Sequence, residues 1–308
     1  MINGTHMYRP ANRSWRERLA TLTRYWPEYL SIAPFFILFA IFFAFPIVWA
    51  FILSFQRWDG IGTPRWVGLD NYAFMLRDPE THQVLYNTLI LLALILPFGI
   101  MLPVFLAVLL NLPLKLRGLF RVLVFVPSVT PVVLVAIVFR FIFSGDYSWL
   151  NSALGLVGLG PYPWLKEPGW AYVPLVTLTI WHGLGFGTLV ALGGLQSIDP
   201  EIYEAARLDG ARQDQIFWRI TVPLLRPVLI FLLVTSSINV VTMFNQPYGI
   251  GGGAQGNPQG STLTPLLQIY NTGIGGRIGD SAALSFLISA GLILMMLFQL
   301  RITRTRDE

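Results

Sequence analysis

Residues 199–223 read DPEIYEAARLDGARQDQIFWRITVP, a strongly polar segment set between two long apolar runs. Asp199 is a good helix N-cap, and Pro200 suits the first helical position, where its missing N–H costs nothing. Glu201 lies near the positive end of the helix dipole. Asp209-Gly210 is a turn signal, because glycine takes the left-handed conformation that ends a helix. A second short helix is expected from about Arg212 to Ile220, with Pro223 breaking it. The segment predicts a helix–turn–helix hairpin held outside the membrane between two spans.

Composition agrees with that placement. The 308 residues are 54% hydrophobic and only 12% charged, with a mean hydropathy of +0.60, values that suit a membrane protein. Crossing a bilayer takes about 20 apolar residues. Six runs qualify, at about 30–55, 88–110, 122–143, 173–195, 224–244 and 282–300. Prolines 34, 46, 97, 103, 127 and 131 lie inside the first three, which membrane helices tolerate when neighbours satisfy the freed carbonyls. Fifteen of the 21 Lys and Arg fall on one side of these runs and five on the other. The positive-inside rule then puts both termini and the 199–223 hairpin in the cytosol. The expected fold is an all-α membrane protein of six transmembrane helices.

Residues 1–7 differ in character from the rest of the chain and are expected to take no part in the fold. Residues 9–24 are basic, with Trp15, Leu19 and Leu22 at helical spacing, which predicts a short interfacial helix within an N-terminal cytosolic segment, 1–29. Residues 301–308 form the expected cytosolic tail. No cysteine is present, so disulfides and thiolate metal sites are excluded, and His6, His82 and His182 show no metal-ligand spacing. Basic residues cluster at the ends of apolar runs, not in a stripe interleaved with aromatics, which points to the lipid bilayer and not to nucleic acid. No cofactor, metal or catalytic residue is expected. The glycine-rich stretch GIGGGAQG, 249–256, is no phosphate loop, because no Gly-Lys-Ser/Thr comes after it.

The order Glu204-Ala205-Ala206, three residues, Gly210, nine residues, then Ile220-x-Val222-Pro223 resembles the EAA loop of binding-protein-dependent ABC importer permeases. Asp209 and Ala211 also fit the extended form, while the family usually has Leu where this chain has Val222. In that family the loop is a coupling helix that docks on an ATPase subunit. The resemblance implies that Glu204, Ala205, Ala206, Asp209, Gly210, Ile220 and Pro223 couple the chain to such an ATPase. Glu204 is expected to meet donors in the ATPase cleft and Gly210 to permit the turn, so Gly210→Asp is expected to abolish uptake. Gly68-Leu69-Asp70-Asn71-Tyr72, Asn87-Thr88 and Trp164-Leu165 with Pro168-x-Trp170-Ala171 resemble the family's external loops. Leu154, Leu156, Val157 and Leu159 suggest a short helix at the outer interface. Trp149, Trp164, Trp170 and Tyr172 are expected to form an aromatic belt at the outer headgroups.

The apolar runs carry no Asp or Glu, and Arg140 can snorkel outward. A proton- or sodium-coupled carrier would show an intramembrane carboxylate, and an anion pore a basic ring. A neutral polar solute, with energy supplied from outside this chain, fits better. Ser236, Asn239 and Thr242 recur at three-residue intervals on the fifth run, so one polar face turns inward, either for a solute or for bonding between helices. By resemblance to the maltose-type branch, the substrate pathway is carried over to Trp181, Gly185, Thr188, Ser236, Asn239 and Val240. A tryptophan ring offers a stacking surface for the C–H face of a sugar, though a lone Trp in a span more often packs. The resemblance implies an ATP-driven importer of a sugar or oligosaccharide that works by alternating access. Its partners would be a second permease, two ATPase subunits that hydrolyse the ATP, and an extracytoplasmic solute-binding protein. A glycerol-phosphate permease and a stand-alone carrier or channel are the alternatives.

Overall fold

A computed structural model describes residues 25–113, 115–145 and 148–304. The expected interfacial helix at 9–24 and the tail beyond 304 lie outside the described residues.

Helix α1 is Trp26–Leu53. Its first proline, Pro34, stays within a regular helix, but Pro46 follows a π-helical turn at Ala40–Ala44. Proline cannot donate to the carbonyl four residues back, and its ring clashes with it. The wider turn lets the Phe45 N–H reach Ala40 O instead, so the helix passes the proline without breaking.

A two-stranded antiparallel ribbon, β1 (Gln56–Arg57) with β2 (Arg65–Trp66), leads into α2, Asp70–Arg77. Asn71 is buried and donates to Ser54 O and Gln56 O, both at 2.9 Å, which pins the ribbon to α2. Helix α3, Pro79–Asn111, starts at Asp78, whose carboxylate accepts from Thr81 N at 3.1 Å, with Pro79 in the first turn. It ends at Leu112, held extended by Pro113.

The third apolar run is not one helix. It divides into α4, Arg117–Val129, and α5, Val132–Phe143, bent by 95°. Thr130 precedes Pro131 and is driven to extended backbone (φ −78°, ψ 141°), so the pair breaks the helix where one continuous span was expected. A short α6, Trp149–Gly155, ends before Leu156, Val157 and Leu159, which are exposed in the turns beyond it.

The aromatic belt is also corrected. Trp149 is exposed, but Trp164 is only 8% exposed, stacked edge-on against Phe143 and Trp170. Its indole N–H donates at 2.8 Å to Asn151 Oδ1, which also accepts from Tyr162 N, while the Asn151 amide donates to Gly145 O and Tyr162 O. A buried indole needs such a partner, and this asparagine draws the loop inward.

Helix α7, Pro168–Gln196, packs along α3 over much of its length. Next come the hairpin helices α8, Pro200–Leu208, and α9, Gln213–Leu224, then α10, Arg226–Val241. The short α11, Asn245–Gly251, packs on α5, and α12, Pro265–Ile274, packs on α13, Ile278–Arg304. Four helices (α1, α3, α7 and α13) are long and apolar enough to cross a membrane, and the number reaches six if each bent pair, α4–α5 and α9–α10, is one span.

The two larger apolar clusters among the described residues lie along α3 and α7. One gathers Leu91, Ala136, Leu178, Val240 and Met243, and the other Val104, Ala191, Leu195, Leu225 and Leu232. At the end where α3 and α7 begin, a polar knot lies beside a third apolar cluster of Val84, Leu263 and Leu267. Asn87 donates to Gly260 O and Leu263 O at 2.8 and 3.0 Å and accepts from Tyr172 Oη at 2.8 Å, tying the loop before α12 to both helices. Each such bond is worth about 1 kcal/mol net, but leaving this buried amide unpaired would cost about 1–3 kcal/mol.

Candidate functional site

Two regions carry the residues singled out from the sequence. The first is the hairpin. Asp199 caps α8 by accepting from Glu201 N at 2.9 Å. At the other end Gly210 has φ +77°, its N–H bonds Arg207 O, and Ala211 N–H bonds Ala206 O at 3.0 Å. This is a Schellman closure, and it needs a residue that adopts the left-handed conformation cheaply. Gln215 reaches back to accept from Arg212 N at 2.9 Å and starts α9. Pro223 does not end this helix. A π-helical turn at Phe217–Thr221 precedes it, Val222 N–H reaches Phe217 O, and the break falls at Leu225, where the axis turns by 66°.

Between the arms, Ala206 and Ile216 are buried and Thr221 Oγ1 donates to Tyr203 Oη at 3.3 Å. Glu204, Ala205, Asp209 and Gly210 are exposed, Ile220 is half-buried and Pro223 exposed. Leu208 shares that outer face and is 89% exposed, with Trp218 also exposed on α9. A leucine so bare on a polar hairpin is a residue that the motif alone did not single out. Its offset from the half-buried Tyr203 and the buried Ala206 on a 3.6-residue period was the available signal.

The second region is a cavity of about 560 Å³ between α3, α4, α7, α10 and the turn into α11. Ser236, Asn239 and Val240 of α10 line it, as does Thr242. From α7 come Thr179, His182, Gly183 and Phe186. The lining contains no Asp, Glu, Lys or Arg. Its hydroxyls mostly donate to carbonyls of their own helix, Thr235 to Phe231 O at 2.7 Å and Thr242 to Ile238 O at 2.8 Å, so their lone pairs remain as acceptors. His182 Nε2 lies 3.2 Å from Thr130 O, at the break between α4 and α5. A carbonyl only accepts, so Nε2 is the donor in this contact. The side chains of Ser236 and Asn239 hold no hydrogen bond among the described residues.

The three α7 residues carried over from the resemblance face elsewhere. Trp181 lies against Phe139 of α5, ring centroids 5.8 Å apart. Gly185 marks the closest approach of α4 and α7, where a Cβ would stand 2.6 Å from Ser128 Oγ and 3.0 Å from Phe125 Cα. Thr188 is buried, its hydroxyl without a partner, and lines a smaller cavity of about 230 Å³ with Gly185, Arg121 and Gln196. Helical periodicity explains the division. His182, Phe186 and Thr179 lie three and four residues apart on one stripe, and Trp181, Gly185 and Thr188 on the next.

The chain is similar to known transport proteins. The chain is 35% identical to the lactose transport system permease protein LacF of Rhizobium radiobacter, over 82% of this chain and 85% of that one. It is 34% identical to the arabinooligosaccharides transport system permease protein AraP of Bacillus subtilis (strain 168), over 89% and 88%. Among solved structures, it superposes with a TM-score of 0.78 and 25% identity on a chain of a bacterial alginate ABC transporter in complex with an alginate pentasaccharide-bound periplasmic protein, covering 96% of this chain and 99% of that one. The family described as the binding-protein-dependent transport system inner membrane component matches residues 99–307, from the middle of α3 through the hairpin and cavity. With the EAA hairpin formed and several apolar helices around it, the chain is a multi-pass membrane protein that belongs to this family of ABC transport permeases.

Proposed function

We propose that this chain is one transmembrane half of an ATP-driven importer, carrying a neutral sugar or oligosaccharide across the cytoplasmic membrane. The observation that carries the reading is the cavity beside α7 and α10: about 560 Å³, with hydroxyl, amide and imidazole groups set among apolar side chains such as Phe186 and Phe244, and no charged side chain. That volume is within the usual range of small-molecule sites, about 300–1,000 Å³. Each sugar hydroxyl donates one hydrogen and offers two lone pairs. The acceptors at Thr235 and Thr242 and the amide of Asn239, which both donates and accepts, match both roles. The named substrates of the two similar permeases are sugars, which supports the same class here.

Each bent helix pair counts as one span in this reading, giving six, with both termini and the hairpin in the cytosol. The hairpin docks on one of two ATPase subunits through Glu204, Ala205, Asp209 and Gly210, with Ala206, Ile220 and Pro223 setting its shape. A second permease completes the pathway, and an external binding protein delivers the sugar. ATP-driven closure moves the hairpin, and the cavity turns from one side of the membrane to the other. Hydrolysis belongs to the partner subunits. Ser236, Asn239 and Val240 contact the sugar together with His182, while Gly185 and Thr188 act beside the second cavity and Trp181 supports the wall from behind.

The test is reconstitution of the chain with ATPase, partner permease and binding protein in proteoliposomes. Sugar-loaded binding protein is expected to stimulate ATP hydrolysis and uptake. Solute flux through this chain alone, with no ATPase bound, would overturn the reading in favour of a channel or carrier.

A further inference from the structure

The turn that leaves the hairpin is tied to the far end of the chain. Leu225 (φ −78°, ψ −2°) marks the 66° bend, and its side chain is buried with Leu192 and Leu195 of α7. The next residue, Arg226, opens α10, and its guanidinium donates to the carbonyl of Thr303 in the last described turn of α13. Further along, Gln299 Nε2 donates at 2.8 Å to Ser237 Oγ, a hydroxyl that is fully buried and itself donates to Leu233 O. Thr303 Oγ1 donates to Gln299 O at 2.9 Å, so the two ties share one turn of α13. Apolar helices in a bilayer slide past one another easily, whereas polar bonds between them fix one register.

We infer that Arg226 and Gln299 are positioning residues that fasten α13 to the segment leaving the coupling hairpin, so that the last helix travels with the hairpin during transport. Neither residue lines the cavity or the outer face of the hairpin. The hairpin joins α10 covalently, but nothing in the chain order joins it to α13. The two ties supply that link, 77 and 62 residues apart in sequence. The inference rests on the importer reading above.

The experiment compares wild type, Arg226→Ala, Arg226→Lys and Gln299→Leu in the complete importer in proteoliposomes, reading sugar taken up per ATP hydrolysed. Arg226→Ala and Gln299→Leu are expected to keep ATP hydrolysis but lose about fivefold or more in uptake per ATP, within the usual span of coupling effects. Arg226→Lys is expected to restore most of the loss, because an ammonium also donates to a carbonyl. Should Arg226→Ala fail to assemble, Gln299→Leu carries the test without changing any charge. Unchanged uptake per ATP in Gln299→Leu, or a loss in Arg226→Ala that Lys does not restore, would overturn the inference. Absence of binding-protein-dependent hydrolysis in the wild type would instead count against the importer reading itself.

Discussion

The hairpin and the cavity satisfy their polar groups over different distances. In the hairpin, Asp199 bonds a residue two positions on, Gln215 one three positions back, and the longest tie, Tyr203 to Thr221, spans 18 residues. In the cavity wall, His182 is fixed by Thr130, 52 residues away, and the side chains of Ser236 and Asn239 hold no hydrogen bond among the described residues. A hairpin closed on itself keeps its shape while a partner pushes on it. A wall with uncommitted amides and hydroxyls is ready to exchange water for a hydroxylated solute. The one region is built for rigidity, the other for exchange.

The largest effect that would sharpen this contrast is expected at the hairpin turn. Gly210→Val places a β-branched residue at φ +77°, a strain of about 1–2 kcal/mol or more, although a Cβ there meets nothing within 4 Å. Uptake is expected to be lost and α8 to fray, while Gly210→Asn, which tolerates this conformation, retains most uptake. Equal uptake in both variants would break the idea that local closure matters. The next effect belongs to the cavity. Asn239→Ala removes an amide from the solute's reach and is expected to raise the KM of uptake about tenfold, the worth of one or two hydrogen bonds, with the melting temperature unchanged. The smallest effect on uptake is expected behind the wall. Trp181→Leu loses the aromatic pair with Phe139, about 0.5–1.5 kcal/mol. It is expected to lower the melting temperature by a few degrees while uptake stays within about twofold. A large loss of uptake with the melting temperature intact would put Trp181 at the sugar after all.

The same difference in range decided what could be read from the sequence. The hairpin's signals (Asp199-Pro200, Asp209-Gly210) act on neighbouring residues, so its arms and turn were legible in order. The exception was Pro223, whose expected helix break is avoided by a π-helical turn five residues long just before it. The apolar runs were legible by length, but the division of the third run at Thr130-Pro131 depended on whether packing would hold the kink closed. The polar stripe Ser236, Asn239, Thr242 was legible from its spacing, and the cavity holds all three. Which stripe of α7 faces it was not. Trp181 and His182 are adjacent, and only the approach of α4 at Gly185 decides that the histidine points to the cavity and the tryptophan away. Trp164 was misplaced for a similar reason, since its partner Asn151 carries no signature of the bond it makes.

The two π-helical turns have a mechanical consequence. Each inserts one extra residue into a helix, and each has a proline two positions beyond its last residue, Pro46 after Ala44 and Pro223 after Thr221. An extra residue in an ordinary helix is slack: it can migrate along the coil, and each step shifts the helix by about 1.5 Å. Here it is trapped, because returning to the regular winding would drive the proline ring into the carbonyl of Phe42 or Arg219. The second arm of the hairpin therefore behaves as a strut of fixed length. Displacement at its tip arrives at Leu225 undiminished, with no play taken up by winding or unwinding on the way.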